Sequence, residues 1–158
     1  YNAIQELLNN VNDHSGSNEI AYTVSQYIPV NSKLDIAVCD FGVGIAQRIM
    51  DYIKDDALTE HKALKKAFEL EFSTKSKPHN RGRGLDTILT YAKELKGSIH
   101  LYSNGLHFWY DSQKDASFHS EKLPSSFDGT LLNLKLSTKL LDSFDKEEYI
   151  EHVQTLGG

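Results

Sequence analysis

Four short segments occur in one fixed order along this chain, and their order restricts the fold more than any other feature. They are Glu6-Leu-Leu-Asn-Asn10-Val-Asn-Asp-His14, Asp40-Phe-Gly42-Val-Gly44, Arg81-Gly82-Arg-Gly84-Leu85 and Gly129-Thr130. The first lies in a helical pattern, since Ile4, Leu7, Leu8 and Val11 recur at helical spacing. Glu6, Asn10 and His14 then share one face, because residues four apart stand above one another on a helix. The second segment ends an apolar strand pattern, the third opens a helix, and the fourth opens a strand. The Gly-x-Gly pairs allow backbone to approach a neighbour or ligand that a Cβ would exclude. A fold that accepts this sequence must supply one helix face, two strand ends and one helix start.

The remaining pattern places these parts. Helices are predicted over 1–14, 44–54 and 59–70. Another runs from Leu85 through Ile88, Leu89, Ala92 and Leu95 to a stop at Gly97, and a short one covers 145–154. Strands are predicted over 19–30, 34–40, 98–103, 106–111 and 130–138, with Asn31-Ser32 turning the first hairpin. Residues 71–83 have no period and many turn formers, and read as a mobile loop. Residues 112–128 are polar, contain Pro124 and read as a surface excursion. The order of helix, hairpin, helices, loop, helix and antiparallel strands gives an α+β fold, a two-layer α/β sandwich with a mixed, mainly antiparallel sheet. Phe108, Trp109 and Tyr110 read as core or hairpin packing, and Cys39 as a packed core thiol. The other histidines, His61, His79, His100, His107, His119 and His152, show no metal-ligand spacing.

Composition narrows the class. The chain has 158 residues, 39% of them hydrophobic and 25% charged, which predicts one globular domain over residues 1–158 with a real core. A net charge of −5 argues against direct nucleic-acid binding. The single Cys39 excludes an internal disulfide and a cysteine metal site, and points to a cytoplasmic location. No apolar run reaches the roughly 20 residues of a membrane helix, and no signal peptide is seen. Tyr1 stands where an initiator Met would, and helical patterning begins at once, so a fragment of a longer protein is expected.

The segments carry chemistry as well as shape. Asp40, at the end of an apolar strand, needs a partner for a partly buried carboxylate. An adenine amino group donates where the carboxylate accepts, a bond that contributes about 1.5–3 kcal/mol. Guanine, with a carbonyl there, is disfavoured. The competing reading is that Asp40 caps the helix beginning near Gly44. Gly82 and Gly84 lie between the basic loop and a helix N-terminus, where free N–H groups and the helix dipole attract phosphate. Lys75, Lys77, Arg81 and Arg83 add positive charge there. The competing reading is a solvated basic loop. Asn10 suits a Mg²⁺ ligand through its amide oxygen, with phosphates and water completing the octahedron. Glu6 suits orienting or deprotonating a nucleophile, and His14 suits a phosphate contact. The competing reading is the polar face of an amphipathic helix. The Thr130 hydroxyl either holds a water beside adenine or caps its strand.

Together the four segments resemble the GHKL ATPase superfamily of gyrase, heat-shock chaperone ATPases, mismatch-repair ATPases and histidine kinases. Glu6–His14 looks like its N box, Asp40–Gly44 and Arg81–Leu85 its two glycine boxes, and Gly129-Thr130 its closing Gly-Thr box. The resemblance spans residues 1 to about 138. It implies a Bergerat fold, with residues 71–83 as an ATP lid. It further implies Asp40 as the adenine-reading carboxylate and Asn10 as the Mg²⁺ ligand. Gly42, Gly44, Gly82, Gly84, Leu85 and Thr130 would line the ATP site with His14, Lys75, Arg81 and Arg83, and Glu6 would be the catalytic residue. Glu6-x-x-x-Asn10-x-x-x-His14-Ser15 looks most like anti-sigma serine kinases and nitrate-sensor-type histidine kinases. The function expected is Mg-dependent ATP binding in a histidine- or serine-kinase-like signalling protein, with a phospho-acceptor or regulatory protein as partner. An ATP hydrolase switch and a nucleotide-sensing module with little turnover are the alternatives. The 26 positions from Ser103 to Asp128 depart from the short hairpin typical of histidine kinases. His14, the only His in the first helical pattern, belongs to the N box, so a phospho-acceptor is expected upstream or on a partner.

Overall fold

The computed structural model describes residues 21–69 and 83–140, and the fold is that of these residues. The expected helices over 1–14 and 145–154 lie outside them, as do positions 71–82 of the expected loop. Six strands form one sheet in the order β1-β2-β6-β3-β4-β5, and every pairing is antiparallel. They are β1 (Tyr22–Ile28), β2 (Lys33–Asp40), β3 (Ser98–Ser103), β4 (Leu106–Asp111), β5 (Phe118–Lys122) and β6 (Thr130–Ser137). Three helices, α1 (Ile45–Ile53), α2 (Glu60–Ala67) and α3 (Arg83–Glu94), occupy the connections. The α+β sandwich with a mainly antiparallel sheet is thus the observed architecture.

Local chemistry explains most element ends. Pro29–Asn31 form a 3-10 turn between β1 and β2, closed by Ser32 in the left-handed region. Thr59 caps α2 by accepting a hydrogen bond from the Lys62 N–H, with Glu60 in its first turn and Lys65 and Lys66 in its last. Asn104 and Gly105, both with positive φ, turn β3 into β4.

The sheet has two unlike faces because side chains alternate along each strand. One face, with Ile36, Val38, Ile99, Leu101, Phe108, Leu132 and Leu134, is buried. It forms one core with Ile49 of α1, Ala63 and Leu64 of α2, and Ile88 and Ala92 of α3. Burying each large apolar side chain contributes about 1.5–3 kcal/mol. Phe108 and Tyr110 are core residues, whereas Trp109 faces the other way, as alternation requires.

Two expectations need correction. Residues 112–128 are not wholly an excursion, since Phe118–Lys122 forms the edge strand β5. It is held by pairing with β4 and by Phe118, whose ring packs on Phe68, Phe108 and Tyr110. Cys39 is not in the core either. It alternates with the buried Val38 and Asp40, lies half-buried on the far face, and its thiol donates weakly to the Asp40 carbonyl at 3.6 Å.

The far face carries a ladder of rings. Tyr102 stacks on His107 with centroids 4.4 Å apart, His107 on Trp109 at 4.6 Å, and Trp109 on His119 at 5.4 Å. His100 Nδ1 lies 3.0 Å from His107 Nε2, and His107 Nδ1 lies 2.9 Å from Glu121 Oε1. The His100–His107 bond needs one donor and one acceptor nitrogen, so it cannot survive protonation of both rings. Burial, and then the charge of a protonated His107, hold the His100 imidazole below its ordinary value, with Lys135 adding to the effect. Nearby Asp111 opposes it and Lys114 adds a little. A histidine whose folded-state value is depressed binds its proton more readily when unfolded, so stability falls as pH drops below the ordinary value of about 6.5. Urea midpoints measured at pH 7.5 and pH 5.5 should therefore differ, with wild type losing more than His100→Gln on acidification. Equal losses in both proteins would show that His100 is not the group responsible.

Candidate functional site

Three polar residues, Asp40, Ser103 and Thr130, are buried among the described residues. All three lie in one row. Asp40 ends β2 and is paired with Thr130, the first residue of β6. Thr130 is paired on its other side with Ser103, the last residue of β3. An otherwise apolar sheet face therefore ends in a polar edge that crosses three adjacent strands. Such burial costs free energy unless the groups are bonded, and each is.

Asp40 Oδ1 accepts the Gly42 N–H at 2.9 Å. That bond bends the chain away from β2 and holds the glycine turn against the strand end. A carboxylate has two oxygens with about four acceptor sites between them. Asp40 is 4% exposed, while Phe41 and Val43 of the same turn are 59% and 50% exposed. The turn thus alternates buried glycines with exposed apolar side chains. Asp40 does not cap the following helix. Gly44, with φ 82°, is the N-cap of α1 and has no side chain to offer. The cap comes from across the sheet, where Thr130 Oγ1 accepts the Ile45 N–H at 3.0 Å. Of the two readings of Thr130, neither foresaw this bond, which ties the closing strand to the start of α1.

Two glycines are obligatory here. A Cβ on Gly44 would lie 2.0 Å from Asn104 Oδ1, and one on Gly129 would lie 2.1 Å from the Asp40 carbonyl oxygen. The close approach of Gly129 is what allows β6 to enter beside Asp40. The β3–β4 turn completes the frame. Ser103 Oγ donates to Asn104 Oδ1 at 2.8 Å, and Asn104 Nδ2 donates to the Val43 carbonyl at 3.0 Å. Ser103 and Asn104 were not legible as site residues. The Asn104-Gly105 pair signals a hairpin turn, but nothing local says that its amide reaches the Asp40 turn.

Arg83 and Gly84 open α3, and Leu85 is buried in the core. Asp86, in the same first turn, has a buried Oδ1 with no hydrogen-bond partner among the described residues. Burial, with the Asp40 carboxylate adding to it, raises the Cys39 thiol above its ordinary value. A thiol so placed stays protonated near neutral pH and is a poor nucleophile. Glu6, Asn10, His14, Lys75, Arg81 and Gly82 lie outside the described residues, so of the expected set the structure brings together Asp40, Gly42, Gly44 and Thr130; Leu85 packs in the core, and Arg83 and Gly84 are placed by backbone alone. Among the described residues no group of three or more His, Cys, Asp or Glu side chains could hold a metal ion.

A family profile described as "Histidine kinase-, DNA gyrase B-, and HSP90-like ATPase" matches residues 1–136. The chain belongs to this family. Membership makes it an ATP-binding domain of the GHKL type. A solved histidine kinase domain, from the blue-light activated histidine kinase of Erythrobacter litoralis EL346, is similar at 12% identity and a TM-score of 0.42. The match covers 87% of this chain and 42% of that one, so this ATPase-family chain spans less than half of that structure. No curated protein matches the chain. Among the described residues no helix is long and apolar enough to cross a membrane.

The crowding at Gly129 makes a sharp test of this frame. Gly129→Ala adds a Cβ 2.1 Å from backbone at φ 126°, and should destabilise the domain by about 1–3 kcal/mol. Gly105→Ala, also at positive φ but with its nearest neighbour 3.2 Å away, should cost about 1 kcal/mol. Chemical denaturation of both variants measures the difference, and equal losses would refute the close approach.

Proposed function

We propose that residues 1–158 form the Mg²⁺-dependent, ATP-binding catalytic domain of a histidine- or serine-kinase-like signalling protein that works in the cytoplasm. The observation that carries the nucleotide part is the buried Asp40 carboxylate at the polar end of an apolar sheet face, framed by backbone that glycine alone can supply. A carboxylate there suits a donor such as the adenine amino group and rejects the guanine carbonyl. Thr130 and Ser103 stand beside it in the strand register. The Gly42 N–H bond to Asp40 and the close packing of Gly44 on Asn104 hold the glycine turn beside it.

The residues fit ATP with Mg²⁺ in kind. Asn10 would supply an amide oxygen to the ion, and Mg²⁺ takes its other ligands from phosphates and water. Bound there, the ion would neutralise phosphate charge. Lys75, Arg81 and Arg83 would draw the phosphates toward the start of α3, where the N–H groups of Gly82, Gly84 and Leu85 would meet them. His14 would contact a phosphate. Glu6 would orient the acceptor hydroxyl or imidazole and take its proton. The acceptor group belongs to a protein partner or to another part of the same protein.

Asp40→Asn separates the two roles of this carboxylate. The amide keeps one oxygen for the Gly42 N–H but replaces the other with a donor that opposes the adenine amino group. Calorimetry should show ADP and ATP affinity falling at least about tenfold, as loss of a charge-assisted bond of about 1.5–3 kcal/mol requires. Unchanged affinity would refute the adenine role. Glu6→Ala should spare nucleotide affinity and abolish phosphoryl transfer or hydrolysis. A variant that turns over ATP as fast as wild type would remove Glu6 from catalysis.

A further inference from the structure

The end of the sheet away from Asp40 holds a different kind of site. A cavity of about 550 Å³ opens there, lined by five lysines, Lys33, Lys96, Lys114, Lys135 and Lys139. They come from five separate places: the start of β2, the turn after α3, the segment after β4, strand β6 and the 3-10 turn that follows it. Asp40 ends the strand that Lys33 begins, so the two sites stand a full strand apart, about 20 Å at the usual rise.

The concentration of charge is out of keeping with a chain of net charge −5. Asp111 is the one carboxylate in the lining, and it reaches Lys114 at 3.5 Å. Asp35 stands opposite Lys135 in the strand register. Among the described residues, Lys33, Lys96, Lys135 and Lys139 have no ion pair. Like charges gathered round a concavity repel one another and focus a positive potential into it.

The floor beneath them is fixed. Gly97 lies so close to β6 that a Cβ would sit 2.2 Å from the Lys135 carbonyl oxygen. The Ser112 N–H and hydroxyl both donate to the Gly97 carbonyl, at 3.1 and 2.8 Å. Gln113 Nε2 donates to the Lys96 carbonyl at 2.6 Å, and the Ser137 N–H to the Leu95 carbonyl at 3.0 Å. Asn31, Ser98 and Ser137 add neutral polar groups to the wall. A ligand would meet a preformed frame and order little but lysine side chains.

We propose that this cavity binds a small anion carrying two or more phosphate groups, at the end of the sheet opposite the nucleotide. Flexible lysines act as point charges that suit clustered phosphate oxygens from several directions. The volume falls in the range of small-ligand pockets, about 300–1,000 Å³, and the five lysines converge on one cavity from separate segments. The cavity has a built-in reporter. Lys135 and Lys114 both help to hold the His100 imidazole low. An anion among them would offset that charge and raise the pH at which His100 titrates.

Tripolyphosphate is the probe. Titrated into the 158-residue chain at low salt, it should shift the His100 imidazole NMR signals saturably and raise their titration midpoint. Sodium chloride at equal ionic strength should not reproduce the saturation. Lys33→Gln with Lys135→Gln should weaken the response roughly tenfold or more, as loss of two direct charge contacts requires. Lys114→Gln with Lys139→Gln, a second exposed pair, gives the same reading should the first variant fold poorly. A His100 signal that does not saturate, or double variants that keep wild-type affinity, would overturn the proposal. These readouts are local to the lysine cavity, and nucleotide binding can fail without affecting them.

Discussion

The antiparallel pairing of β2 with β6 is the interaction on which the rest of the structure depends. It sets Asp40 opposite Thr130 and, through the next pairing, Thr130 opposite Ser103. Strand register has a period of two, and a slip of one residue would turn every side chain to the other face. Here it would put Asp40 on the far face and strip α1 of the hydroxyl that caps it. The apolar residues Ile36, Val38, Leu132 and Leu134 enforce the register, because only one alignment buries them all against the helices. Core packing and site geometry are thus one constraint.

That constraint also explains why the ends of the sheet differ. At one end the buried polar row and two crowded glycines leave a carboxylate set in apolar surroundings. At the other, the same strands begin or finish in lysine-rich segments around a cavity. Between them one face is core and the other carries the stacked Tyr102, His107, Trp109 and His119. The His100–His107 contact lies beside the lysine end, so charge there is felt in the ring ladder through Lys135 and Lys114.

Much of the site was legible in the chain. Asp40 at the end of an apolar strand pattern could only be buried or half-buried, and Gly42 and Gly44 just after it marked backbone that must come close. The helix starts near 45 and 60 and the strand starts near 98, 106 and 130 followed from hydrophobic period and turn residues. Strand β5 did not, because Phe118 alone among its residues is apolar, and cross-strand pairing with β4 holds an edge strand that composition cannot signal. Ser103 and Asn104 were missed because their partners, Thr130, Val43 and Gly44, are distant in sequence.

Physical range separates the two kinds of knowledge. The sequence by itself determined the alternation of α and β elements, the family motifs and the identity of the adenine-facing candidate, because period, glycine freedom and burial preference act over a few neighbouring residues. The tertiary structure alone decided that Thr130 caps α1, that Cys39 turns away from the core, and that five lysines from five segments surround one cavity. Those outcomes depend on which strands lie side by side and in what register, which only the packing of the whole sheet sets.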